Sequence, residues 1–152
     1  MKRQVLKSLT MLTVIVTVAF AAAVVSANAQ SQRRVIANVP FDFVIGDKAL
    51  PAGEYSANMT TSDASVIVLQ RADSNDTAVR ITNSILPRPN KTQARLVFHR
   101  YGQTYFLAEV WAGGDNIGRQ LLPSKQERQM KREVERLAKS HHETVELMAT
   151  LR

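Results

Sequence analysis

The chain has no cysteine in 152 residues, which removes disulfides, thiol nucleophiles and thiolate metal sites together. It has a single tryptophan, three tyrosines and five phenylalanines, so any aromatic binding surface must be built from few side chains. Histidine is almost as scarce, with His99, His141 and His142 the only three. No Gly-x-Ser-x-Gly elbow accompanies them. The glycine cluster Gly113-Gly114-Asp115-Asn116-Ile117-Gly118 lacks the lysine-hydroxyl ending of a phosphate loop and opens no βαβ unit. After Gln30 no apolar run is long enough to span a bilayer as a helix.

One long apolar run is present, at the start. Met1-Lys2-Arg3 through Lys7 is basic, Ser8 to Val25 is apolar, and Ala27-Asn28-Ala29 places small residues where a signal peptidase needs them. Residues 1–29 are therefore expected to be an export signal with the mature chain beginning at Gln30. The competing expectation is a retained anchor, with Lys2, Arg3 and Lys7 held inside. Either way the folded part is expected outside the cytoplasm, in the periplasm or extracellular space. A cysteine-free domain of this size must rely on its apolar core, which suits a bacterial envelope protein.

The net charge of +7 falls to +4 when Lys2, Arg3 and Lys7 leave with the signal. A mixed surface with that bias permits weak contact with an anionic glycan or a membrane surface. Nucleic acid is not an expected partner, because no dense basic stripe is interleaved with exposed aromatics.

Periodicity divides the remainder into residues 30–122, expected as a β domain, and residues 123–152, expected as an amphipathic helix. Val35, Ala37, Val39, Phe41, Phe43 and Ile45 recur every second residue, and Pro40 among them demands an edge or a bulge. Leu50 to Glu54 reads as a turn before Tyr55, Ala57 and Met59 resume the alternation. Ser65–Arg71 and Ala78–Leu86 read as strands around the turn Asp73-Ser74-Asn75-Asp76, and Pro87-Arg88-Pro89-Asn90 as a rigid loop. Arg95 to Ala108 reads as a hairpin turning at Tyr101-Gly102, with Phe98 opposite Tyr105, Leu96 opposite Leu107 and Val97 opposite Phe106. Both of its faces are apolar, so a second layer must cover it.

Ser124-Lys125-Gln126-Glu127 matches a capping box after Pro123. Met130, Val134, Leu137, His141, Val145 and Met148 then follow at helical or near-helical spacing. A helix of that length would outrun a small β body, and its overhanging stripe is the expected contact for a protein partner or a homo-oligomer. The expected fold class is mainly β: a small antiparallel sheet or partly closed barrel with a long C-terminal amphipathic helix.

Candidate chemistry is sparse. His141-His142 with Glu143 or Glu146 gives no separated second contributor for a helical metal site, so no metal or other cofactor is expected. His99 with Glu109 or Asp115 and a serine is the remote hydrolase reading, which leaves the chain expected to be a non-enzyme. Tyr101, Tyr105, Glu109 and Trp111 form the alternative, a small-ligand or glycan-binding site on the hairpin.

The chain also resembles a family of small exported bacterial proteins of uncharacterised function, common in acidobacteria. The likeness lies in Val39-Pro40-Phe41-Asp42-Phe43, the run Gly46 to Tyr55, Leu96 to Gly102, Tyr105 to Trp111, and Leu121-Leu122-Pro123-Ser124-Lys125, in matching order. It implies a compact exported β domain with no assigned reaction, and so transfers no catalytic residue. The continuation after Glu127 is longer than the short tail of that family.

Overall fold

A computed structural model describes residues 34–59, 65–86, 93–114, 117–138 and 143–151, all within the compact unit Gln32–Arg152. The expected signal at 1–29, the Pro87–Asn90 loop, Asp115-Asn116 and His141-His142 lie outside the described residues.

Pro40 cuts the first alternating run in two. β1 (Arg34–Val39) ends before it and β2 (Phe43–Ile45) begins after it. Gly46-Asp47 then turns the chain directly into β3 (Lys48–Leu50), where the sequence suggested only a turn, and β4 (Gly53–Met59) follows. Gly46 has a φ of 62°, a conformation that favours glycine. β5 (Val66–Arg71) and β6 (Thr77–Ile85) pair across the expected Asp73–Asp76 turn.

The hairpin is β7 (Arg95–Tyr101) and β8 (Thr104–Trp111), with a register different from that expected. Tyr101 pairs with Thr104, so Gly102-Gln103 is the turn, and Gly102 at φ 62° occupies its first position as a primed turn requires. Phe98 consequently faces Leu107, and His99 faces Phe106. The register then shifts between Val97 and Phe98: Val97 faces Glu109, leaving Ala108 as the extra residue of a bulge. β9 (Gly118–Leu121) returns alongside β8 and β6.

The helix α1 spans Lys125–Ala138 and goes no further. β10 (Glu143–Met148) and β11 (Thr150–Leu151) follow, correcting the expectation of one helix over 123–152. In Val145-Glu146-Leu147 the apolar residues alternate, and Val145 and Leu147 both pack against the core. Strand pairing with β7 decides this segment over the helical spacing.

The fold is mainly β, one mixed and predominantly antiparallel sheet in the order β10-β7-β8-β9-β6-β5-β4-β1-β11, with one helix. The only parallel contact among the described strands is β2 against β8. β10 and β11, separated by Ala149 alone, are stretches of one C-terminal segment. It bonds to β7 at one edge and to β1 at the other, and the Ala149 amide donates to the Ala94 carbonyl between them. Val35, Val39, Phe43, Ile45, Tyr55, Ile67, Leu69, Leu96, Phe98 and Val110 form the core. Phe43 meets Tyr55 and Phe98 edge to face at 5.1 and 5.3 Å, while Phe41 stacks on Tyr105 at 3.9 Å.

Candidate functional site

Two surfaces carry the residues that the sequence singles out, and a third stands apart from them. The first is the seat of α1. Alternate residues of β7 turn away from the core, which directs His99 and Tyr101 toward the helix. The Ser124 hydroxyl accepts the Glu127 amide at 3.1 Å, the serine half of the expected capping box. The Glu127 carboxylate instead lies 3.0 Å from Nδ1 of His99, and both groups are largely buried. Met130 and Val134 pack on Val44, Tyr101 and Phe106. The Tyr101 phenol is pushed up to about 12, first by burial and then by the negative charges of Glu127 and Glu135. His99 therefore serves with Glu127 to fasten the helix to the sheet. The sequence hid this pairing because 28 residues separate the two.

The expected helical contact stripe is dispersed. Met130 and Val134 are used internally, Val145 lies against the core, and Met148 is exposed on β10. Leu137, 83 % exposed, is the one member left free on α1; His141 lies outside the described residues.

The expected ligand set is also divided. Tyr105 belongs to the core face, between Phe41 and the Arg100 guanidinium, which lies 5.5 Å from the Tyr105 ring centroid. Tyr101 is buried beneath α1. The bulge at Ala108 turns Glu109 and Trp111 to the opposite face from Leu107. There the indole N–H donates to the Glu109 carboxylate at 2.8 Å. The Arg95 guanidinium covers the indole at 4.4 Å, with Glu146 3.9 Å from Arg95 Nε. Trp111 itself rests on Gly118, where a Cβ would collide with the ring. These four side chains build three separate packing contacts rather than one concave site.

The third surface was not singled out. On the outer face of β5 and β6, Val66 lies opposite Ile81 and Val68 opposite Val79. Val79 is 53 % exposed and Ile81 65 %. Leu122, 56 % exposed, follows β9, whose last residue Leu121 pairs with Thr82. The surrounding outward positions are Ser56, Asn58, Gln70, Thr77, Asn83 and Gln120, all uncharged, and Arg34 reaches this rim through a 2.9 Å hydrogen bond to Asn58. The available sequence signal was the uninterrupted Val66-Ile67-Val68-Leu69, which leaves a strand apolar on both faces.

Among the described residues no cluster of three or more histidine and acidic side chains is arranged to hold a metal ion, and no helix is long and apolar enough to cross a membrane. In comparison with known proteins, no family model, no curated protein and no solved structure matches the chain.

Proposed function

We propose that the chain is an exported, non-catalytic binding or assembly protein of the bacterial envelope, and that it meets another protein through the outer face of β5 and β6. The observation that carries this reading is the contiguous patch Val66, Val68, Val79 and Ile81, whose last two members are each more than half exposed. An exposed apolar patch with a polar rim is characteristic of an interaction surface. Its rim favours protein over an anionic glycan or lipid headgroups: amides and hydroxyls predominate on it, and its nearest cations, Arg34, Lys48 and Arg80, are each already bonded to this protein's own oxygens. Export rests on the Lys2–Ala29 pattern and on the resemblance to the exported bacterial family.

The supporting architecture is a small, partly closed barrel. One C-terminal segment bonds at both ends of the strand order, but through only two residues at the β1 end. The helix contributes by covering Tyr101 and Phe106, leaving β5 and β6 as the larger free apolar surface.

The test is a photo-crosslinking side chain placed singly at Ile81 or Leu137 in the full chain expressed in bacteria. A discrete protein adduct from position 81, and none from 137, is the expected result. Adducts from position 137 alone, or from neither, would remove the proposed contact. Fractionation of the same cells should place the protein outside the cytoplasm.

A further inference from the structure

The same strand that carries Val79 and Ile81 has an open edge. Along β6, Thr82 donates its amide to the Ser65 carbonyl and Asp76 accepts from the Arg71 amide, fixing the even-numbered residues as those bonded to β5. By the alternation of an antiparallel ladder, the N–H and C=O groups of Thr77, Val79 and Ile81 point the other way. β9 takes that side only from Thr82 onward. Among the described residues no strand pairs with Thr77–Ile81 there, and β3, across the seam, pairs only with β2.

Cationic side chains occupy the places of the missing ladder. Lys48 Nζ donates to the Thr77 carbonyl at 3.2 Å, and Arg80 donates to the carbonyls of Val79 at 3.2 Å and Ile45 at 3.1 Å. Lys48 also pairs with Asp76, but Arg80 makes no ion pair among the described residues, and its Nε has no hydrogen-bond partner. The Arg80 guanidinium rests directly on Gly46, in space that any Cβ would fill. Charged side chains over an edge are the usual guard against unwanted strand pairing.

We propose that Thr77–Ile81 accepts an extended segment of a different protein as an added strand, in the manner of β-augmentation. This rests on the reading that the β5–β6 face is a protein contact. The geometry specifies the segment's chemistry. Residues opposite Val79 and Ile81 lie on the outer face and are apolar, whereas the residue between them lies on the face of Arg80 and is acidic. Its carboxylate supplies the guanidinium's missing counter-charge as Arg80 releases the two carbonyls.

The probe is a blocked hexapeptide alternating valine and threonine around one glutamate, beside a counterpart with lysine at that position. Amide exchange is followed residue by residue in the full chain. The glutamate peptide should slow exchange at Val79 and Ile81 about tenfold, leave Ala78 and Arg80 unchanged, and bind about tenfold more tightly than the lysine peptide. Arg80→Gln should abolish that preference. Unchanged Val79 and Ile81 amides, or equal binding of the two peptides to the unsubstituted protein, would overturn strand addition without requiring any variant to fold. Crosslinks at Ile81 that persist after such a failure would leave the face contact standing and remove only the added strand. Slowed amides with dimerisation in the absence of peptide would overturn a foreign donor in favour of a second copy.

Discussion

Gly46 and Arg80 show how much depends on one absent side chain. Gly46 turns β2 into β3 at φ 62° and gives the Arg80 guanidinium its resting place. Gly46→Ala should cost at least about 1 kcal/mol from backbone conformation alone, with a further loss from displacing Arg80, read as a lower urea midpoint. Tyr101 makes a pH-dependent prediction. Its phenol ionises near 12 in the folded chain, against an ordinary 10.0, because burial and the nearby Glu127 and Glu135 disfavour the phenolate. Stability from burying the neutral phenol is complete below pH 10 and declines as pH rises toward 12. Tyr101→Phe should flatten that decline in an alkaline unfolding series; an unchanged slope would place the effect elsewhere.

At the scale of elements, the start of α1 was legible and its end was not. Ser124 announces the cap, and Ser124→Ala should cost about 1 kcal/mol of stability in denaturant unfolding. Nothing in Lys139-Ser140-His141-His142 supplies a glycine or proline to stop the helix, and Val145 and Met148 fall at helical distances from Leu137. The deciding force is long-range: β10 finds β7, and Val145 sits opposite Phe98. Val145→Asp should therefore destabilise by about 2–4 kcal/mol, while Leu137→Asp should stay within about 0.5 kcal/mol of the parent protein. Comparable losses from both variants would restore the continuous helix. The hairpin was legible as an element but not in register, because the turn moved by one residue and the bulge at Ala108 reversed the following side chains. That reversal separates Tyr105 from Glu109 and Trp111, and with it dissolves the aromatic ligand site read from simple alternation.

At the scale of the molecule, strand periodicity made the mainly β class legible, since Val35, Ala37, Val39, Tyr55 and Ala57 alternate inward as the sequence suggests. The C-terminal segment along both edges was hidden, because its pairings join residues about 50 and more than 100 positions apart. The contact surface was hidden for a related reason: Val79 and Ile81 come beside Val68 and Val66 only when β6 aligns with β5. On the proposed reading this face, rather than the helix, binds another protein. The decisive measurement is size-exclusion chromatography coupled to light scattering on the full tagged chain, isolated through its tag from the producing cells together with whatever it holds. The parent protein and Leu137→Asp should elute in the same assembly, and Val79→Lys/Ile81→Lys should elute as a folded monomer with an unchanged β spectrum; an assembly that survives the double substitution, or that Leu137→Asp alone dissolves, would contradict the account.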